Sequence, residues 1–305
     1  MLLSTQEIQN NLKKGLSQKA AMLSQENKLG KLISIVIGEN PEQDSYVKIK
    51  KRVGEEVGII VEKASLPIDV TQSRLLWFIQ NLANSEHVSG VIIQQPVPKH
   101  INLHEVYSGM PSNIEIEGHK TNSSFIFPLV QACMIGLQLT HEHEVAPDIA
   151  PNAEVFGLPF ICKNELTTWL KTKNITIAGN GMTTGWQIAK YLKFFDIPFN
   201  QTNSKTDNPD QIYRNSDIII TGVGKEVITD QNIKKGVVLL NFGLRNIEVL
   251  RDGVRKTKLS GDYDEEKIKH IAGLYTKTPG GLGPIDVLCL LGNLLESASN
   301  YGLKK

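Results

Sequence analysis

Apolar positions along the chain follow two alternating periods. Ser4 and Glu7 have capping-box spacing, and Ile8, Leu12 and Leu16 then recur every fourth residue, which predicts an opening helix with one apolar stripe. After Gly30 the pattern becomes a continuous run, Leu32-Ile33-Ser34-Ile35-Val36-Ile37-Gly38, as expected for a strand buried on both faces. Residues 43–57 are helix-forming, and Gly58 stands where a C-terminal cap belongs, ahead of a second strand at Ile59-Ile60-Val61. Leu75, Phe78, Ile79 and Leu82 mark a further amphipathic helix, and residues 88–93 a third strand closed by Pro96 and Pro98. Strand and helix in alternation imply a parallel sheet covered on both faces.

Between residues 125 and 158 the period is lost, and the loop-like stretch 146–152 is where an inter-domain crossing is expected. Alternation resumes at Ile175-Thr176-Ile177-Ala178, runs through a helix at 188–194 and reaches strands at 217–221 and 237–240. This region has the pattern of a doubly wound sheet. Residues 285–295 form an apolar last helix, which in a two-lobe α/β enzyme returns to the first lobe. A length of 305 residues exceeds one ordinary core. The expected division is residues 1–125 with 285–305 as one α/β domain and 126–284 as a Rossmann-like domain.

Composition removes partners rather than adding them. Lysine and arginine number 33 against 32 acids, a net charge of +1, which offers no global field for nucleic acid or a membrane surface. Cys133, Cys162 and Cys289 are odd in number and lack metal-ligand spacing, so core thiols in a reducing compartment are expected. Residues 1–29 read as a polar amphipathic helix rather than a signal peptide, and apolar stretches such as 125–130 fall far short of a membrane span. A soluble, cytoplasmic protein is the expectation.

Candidate chemistry collects at element ends. Tyr46 and Lys50 stand four apart on a helix, so both face one way, and a lysine near a partly dry site can serve as acid or base near neutral pH. A solvated basic face made of Lys48, Lys50, Lys51 and Arg52 explains the same letters. Gln94 and Gln95 end the third strand, at the carboxyl edge where open α/β sheets bind ligands, although a polar turn would also use them. Glu117-Gly118 puts a carboxylate on a flexible turn, suited to an amidine-like ring edge, though lone loop acids are mostly solvated. Gly179-Asn180-Gly181-Met182-Thr183-Thr184-Gly185 follows a strand and opens a helix, the context in which backbone approaches a pyrophosphate. Its spacing is one residue longer than the common fingerprint, and Thr202, Asn203, Ser204 and Thr206 stand where a ribose-gripping acid would be. Thr278-Pro279-Gly280-Gly281-Leu282-Gly283-Pro284 is a dense turn cluster that admits close approach of a ligand or merely a tight connection. His141-Glu142-His143 lacks i, i+4 spacing and a third ligand, so no metal is expected.

The order and separation of these segments resemble the bifunctional methylenetetrahydrofolate dehydrogenase/methenyltetrahydrofolate cyclohydrolase family over residues 38–293. Asn40-Pro41 with Ser45-Tyr46-Val47-Lys48-Ile49-Lys50 looks like its Tyr-x-x-x-Lys helix, and Gly90-Val91-Ile92-Ile93-Gln94-Gln95-Pro96-Val97-Pro98 is similar to its Val-Gln-Leu-Pro-Leu-Pro signature. Asn203-Ser204-Lys205-Thr206, Ser216-Asp217-Ile218 through Gly222-Val223-Gly224-Lys225, Gly261-Asp262-Tyr263-Asp264 and Pro279-Gly280-Gly281-Leu282-Gly283-Pro284 resemble further family segments. The resemblance implies oxidation of 5,10-methylenetetrahydrofolate with NADP or NAD, hydrolysis to 10-formyltetrahydrofolate, a tetrahydrofolate-borne substrate and a homodimer. It implies Lys50, Tyr46, Gln94 and Glu117 as catalytic residues, with Tyr46, Glu117, Pro279, Gly280 and Gly281 binding folate. It places the cofactor on Gly179, Asn180, Gly181, Ser204, Thr206, Gly224 and Leu244.

Several positions depart from the family pattern. Asp-Val-Asp-Gly-Phe is Glu115-Ile116-Glu117-Gly118-His119 here, and the Pro-Cys-Thr-Pro segment is barely recognisable around Pro159. The Gly-Arg-Ser whose side chains grip the NADP 2′-phosphate is Gly179-Asn180-Gly181, so the bidentate guanidinium contact is lost. Val-Ile-Asp-Val-Gly-Ile has become Leu239-Leu240-Asn241-Phe242-Gly243-Leu244. A cyclohydrolase without dehydrogenase activity and a non-enzymatic folate- or nucleotide-binding regulator therefore stand as the alternatives.

Overall fold

Two parallel sheets organise the chain, which the computed structural model describes over residues 1–145, 164–251 and 254–302. The expectations for residues 146–152, Pro159 and Cys162 lie outside the described residues. The described chain divides into two compact units, one made of residues 9–128 and 287–302, the other of residues 1–8, 129–145 and 164–286.

The first unit is built on β1 (Lys31–Ile37), which the order β2-β1-β3 makes central, with β2 (Val61–Leu66) and β3 (Val88–Ile93) parallel on either side. From Leu32 onward β1 is buried, which explains why its sequence is a continuous apolar run rather than an alternating one. α1 (Gln6–Gln25) precedes β1, α2 (Pro41–Glu56) and α3 (Gln72–Ala83) run between successive strands, and α4 (Leu103–Gly109) follows β3. Asn40 starts α2, its Oδ1 accepting the N–H groups of Glu42 and Gln43, with Pro41 in the first turn. Gly58 ends the passage at φ +78°, as the cap reading requires. The second strand, expected at 59–61, runs Val61–Leu66 instead, because the Ile59 N–H returns to the Gly54 carbonyl and is unavailable to the ladder. Its polar side chains are those of a sheet edge.

The second unit opens with α5 (Pro128–Val145), a helix where the sequence shows no period. Residues 129–140 of α5 are buried nearly throughout, and a helix covered on all sides carries no polar face to mark its turns. Then come α6 (Asn164–Leu170), β4 (Ile175–Ala178), α7 (Gly185–Phe194), β5 (Phe199–Thr202), α8 (Pro209–Asn215), β6 (Ile218–Thr221) and β7 (Val238–Asn241). An antiparallel hairpin of β8 (Arg245–Arg251) and β9 (Val254–Ser260) precedes α9 (Glu265–Ile268) and β10 (Leu274–Tyr275). The strands line up as β10-β7-β6-β4-β5, all parallel. Read from the other edge this is a doubly wound order whose direction of winding reverses between β4 and β6. The chain start extends this sheet: Leu3 N–H donates to the Tyr275 carbonyl and Tyr275 N–H to that of Met1. Residues 1–8 therefore group here, whereas the sequence-based division puts them with the first domain.

The last helix, α10 (Gly283–Tyr301), contributes residues from Val287 onward to the first unit. Among the described residues no helix is long and apolar enough to cross a membrane. Within the first unit Asn293 of α10 is fully buried, and its Nδ2 donates to the carbonyls of Ile116 at 2.8 Å and Ile126 at 3.1 Å, the two ends of the loop that carries Glu117. Replacing Asn293 with Leu leaves both carbonyls without that donor, and urea unfolding is expected to register a loss of about 1–3 kcal/mol.

Candidate active site

Lys50 stands one turn after Tyr46 on α2, its Nζ 5.8 Å from the centroid of the Tyr46 ring. Lys48, Lys51 and Arg52 are exposed while Lys50 is half-buried, so the basic run is a solvated face from which one member turns inward. What it meets is Gln94, whose Oε1 lies 3.4 Å from the ammonium. Gln94 follows β3 directly and donates its backbone N–H to the Ile35 carbonyl of β1. Its side-chain Nε2 donates to Ser34 Oγ at 2.8 Å, and Ser34 is fully buried in an otherwise apolar strand. An ammonium has no acceptor capacity, so this amide can face Lys50 only with its oxygen. With the oxygen so placed, the Ser34 hydroxyl accepts from the amide nitrogen on the far side. On the same helix Gln43 Nε2 donates to the Pro96 carbonyl at 2.6 Å, tying α2 to the turn after β3, where the Gln95–Pro96 peptide is cis.

Glu117 occupies a turn organised by a carboxylate that sequence reasoning did not single out. Buried Glu115 accepts the backbone N–H groups of Glu117 at 3.0 Å, Gly118 at 2.7 Å and His119 at 3.1 Å through one oxygen, and the Ser123 hydroxyl at 2.7 Å through the other. Gly118 has φ +81°, with the Phe125 carbonyl packed where a Cβ would be, so no other residue fits. Tyr107 of α4 donates its phenol to Glu117 Oε2 at 3.2 Å. Burial pushes that phenol well above its ordinary range, and the negative charge of Glu117 pushes it further, so Tyr107 stays protonated and remains a donor. The His119 ring stacks on Tyr107 with centroids 3.9 Å apart and meets the edge of Phe127 at 5.0 Å. An acid two residues before a Glu-Gly pair was the visible sign of Glu115; Tyr107 and His119 left none.

In the second unit the expected cofactor residues lie at the carboxyl ends of adjacent strands. Gly179, next after β4, has φ +110°, and a Cβ there would sit 3.2 Å from the Gly222 carbonyl that follows β6. Those two strand ends flank the point where the winding reverses, the place at which doubly wound sheets bind ligands. A Cβ on Gly185, the first residue of α7, would overlap the Gly179 carbonyl, and one on Gly222 would overlap the Thr184 side chain. These glycines thus pack the loop backbone onto the helix start, while Asn180 and Gly181 face solvent. A glycine loop that leads from a strand into a helix start is the setting in which backbone N–H groups hold a pyrophosphate. Ser204 is exposed and Thr206 half-buried in the turn after β5, where Asn203 N–H donates to Thr206 Oγ1 at 2.9 Å.

Gly224, at φ +75°, sits against the Leu244 carbonyl, which brings the next pair of expected cofactor residues together. Fully buried Asp262 holds this loop, accepting from the N–H groups of Val223 at 2.8 Å, Gly224 at 2.8 Å and Lys225 at 3.2 Å. Burial raises the carboxyl of Asp262 above its usual range, and those three donors oppose the rise. Pro279, Gly280 and Gly281 are held by Thr5, whose hydroxyl donates to the Gly281 carbonyl at 3.2 Å, and by Glu265, which accepts the Thr278 N–H at 2.7 Å.

Residues 3–116 match the catalytic domain of the tetrahydrofolate dehydrogenase/cyclohydrolase family and residues 158–301 its NAD(P)-binding domain. The chain belongs to that family. A bifunctional protein FolD of Bacillus cereus (strain G9842) is 27% identical over 304 residues, covering 99% of this chain and 98% of the relative. The crystal structure of the bifunctional enzyme FolD from Campylobacter jejuni superposes with a TM-score of 0.78 at 24% identity, covering 98% and 99% of the two chains. FolD of Trypanosoma brucei, solved with NADP cofactor and inhibitor, gives 0.77 at 21% identity over 98% and 97%. The dehydrogenase/cyclohydrolase family thus accounts for both units, the Lys50 cluster falling in its catalytic domain and the Gly179 loop in its NAD(P)-binding domain. Gly185→Ala forces the Gly179 carbonyl to move, and nucleotide affinity measured by fluorescence titration is expected to fall more than tenfold; unchanged affinity would mean that the nucleotide does not use this loop.

Proposed function

We propose that the chain oxidises 5,10-methylenetetrahydrofolate to the 5,10-methenyl cation and hydrolyses that cation to 10-formyltetrahydrofolate, with Lys50 handling the protons of the second reaction. The observation that carries this reading is the chain of contacts from Ser34 through Gln94 to the Lys50 ammonium. Tyr46, 41% exposed beside Lys50, offers an aromatic face on which the folate packs. Glu117 accepts hydrogen bonds from the pterin edge, one methylene further out than an aspartate would. Pro279, Gly280 and Gly281 are assigned to folate as well, as the family resemblance implies. The domain made of residues 1–125 and 285–305 is assigned the folate chemistry, and residues 126–284 the dinucleotide.

The nicotinamide, when bound, supplies the acceptor for the hydride that leaves the methylene carbon. Gly179, Asn180, Gly181, Ser204, Thr206, Gly224 and Leu244 would hold that cofactor. In hydrolysis, Lys50 acts from its neutral amine form: water oxygen bonds to the methenyl carbon and one water proton passes to the amine, giving the ammonium. The bond from that carbon to N5 then breaks, N5 takes the proton from Lys50, and the remaining hydroxyl proton leaves as the formyl C=O forms. Gln94 keeps the lysine nitrogen aimed at this carbon throughout.

Asn180 and Gly181 cannot make a bidentate bond to a 2′-phosphate, which is worth about 1.5–3 kcal/mol where it exists. We therefore assign NAD at least equal standing with NADP. A homodimer in the cytoplasm completes the proposal, as the family resemblance implies. Lys50→Met is expected to slow methenyl hydrolysis by about 10²–10⁴-fold while nucleotide affinity is retained. Unchanged hydrolysis would remove Lys50 from the mechanism. In parallel oxidation assays kcat/KM with NAD should equal or exceed that with NADP, and a hundredfold preference for NADP would contradict the assignment at Asn180 and Gly181.

A further inference from the structure

His119 is held in place more firmly than packing alone requires. Its ring lies nearly parallel to that of Tyr107, 22° between planes, with Phe127 against it at 78°, and its backbone N–H is fixed on Glu115. So constrained, its Nε2 points at the carboxylate of Glu117, 3.8 Å from Oε2, the same oxygen that accepts the Tyr107 phenol. The side chains of His119 and Glu117 keep only 12% and 18% of their surface exposed. A phenyl ring would fill this stack equally well. An imidazole adds a polar edge whose burial costs free energy unless it faces an opposite charge, and here it does.

We infer that His119 is a positioning residue: together with Tyr107 it holds Glu117 by Oε2, and its protonation strengthens that hold and so raises affinity for the pterin edge of folate. The inference rests on the reading of Glu117 as the acceptor for that edge. A glutamate has one more rotatable bond than an aspartate, and anchoring one oxygen removes that freedom before substrate arrives. Among the described contacts, Tyr107 on α4 stacks on the imidazole, Glu117 of its own loop faces Nε2, and Glu115 accepts the backbone N–H. The neighbouring Lys120 directs its ammonium to the Met110 carbonyl at 2.7 Å and Ser112 Oγ at 3.2 Å. Glu117 is the carboxylate that faces the imidazole edge. The sign follows: the imidazolium is paired below its titration, and the contribution is lost as pH rises through it.

The test measures KM and kcat for folate between pH 5.5 and 8 in wild type, His119→Phe and His119→Gln, each as a ratio to wild type at the same pH, so that the chemistry of the substrate itself cancels. For His119→Phe the KM ratio should be severalfold above one at the acid end and approach one at the alkaline end, with kcat little changed. His119→Gln keeps a donor without a charge and should recover part of the acid-side loss. A KM ratio of one at every pH, or a change confined to kcat, overturns the inference. The His119 imidazole is followed separately by NMR in wild type and Glu117→Gln, a reading that needs no substrate: its titration should fall to lower pH in the variant. An unmoved titration refutes the contact itself. Should the contact hold while wild type binds no tetrahydrofolate, the assignment of Glu117 to the pterin fails instead, and with it the role in affinity.

Discussion

The hydroxyl of Ser34, buried in the central strand of the first sheet, is the constraint on which the proposed chemistry depends. Ile33, Ile35, Val36 and Ile37 around it are apolar and buried, so a polar group there is tolerated only with a partner. Gln94 is that partner because the parallel register of β1 and β3 brings the end of one strand beside the middle of the other. Once Nε2 is committed to Ser34, the amide oxygen can only face outward, and the Lys50 ammonium is what it faces. The lysine proposed as catalytic is thus oriented from the hydrophobic core rather than from the surface run in which it sits. A side chain positioned in this way loses little further entropy when substrate binds.

The second unit prepares its site by different means. The surface proposed for the nucleotide is backbone, shaped by glycines whose missing Cβ atoms allow the segments at Gly179, Gly185 and Gly222 to pack closely. Side chains on this surface can therefore differ from the family pattern without dismantling the backbone packing. Asn241 illustrates the point. It stands where the family resemblance expects an aspartate, and its amide is completely used: Oδ1 accepts from Thr221 Oγ1 and the Asp262 N–H, and Nδ2 donates to the Gly243 carbonyl and Thr278 Oγ1. A carboxylate could not donate those last two bonds. The substitution belongs to a coherent local network that also supports Asp262 and, through it, the Gly224 loop.

Features governed by local periodicity were legible in the sequence. The apolar runs of β1 and β3, the glycine at 58 and the helical spacing of Tyr46 and Lys50 all express contacts made within a few residues. The position of Gln94 at a strand end was legible for the same reason, but its coupling to Ser34 was not, because it crosses between strands sixty residues apart in the chain. The helix α5 escaped because burial on every face erases amphipathic period, and β2 was displaced because the closing hydrogen bond of α2 reaches Ile59. Short or polar strands such as β5 and the β8–β9 hairpin carry too little pattern to announce themselves. Glu117 was marked by its turn, Glu117-Gly118, and its role was specified only by the resemblance. The Glu115 turn beneath it and the stack of Tyr107 on His119 above it are tertiary arrangements that no spacing rule encodes.

The most direct test follows purified wild-type protein through both reactions in one preparation, with nicotinamide reduction read during methylenetetrahydrofolate oxidation and loss of the methenyl chromophore read separately. Cofactor reduction together with methenyl hydrolysis above the uncatalysed rate is the predicted result. Hydrolysis without reduction would confine the chemistry to the Lys50 cluster and make the glycine cradle a relic, and inactivity in both assays would contradict the account.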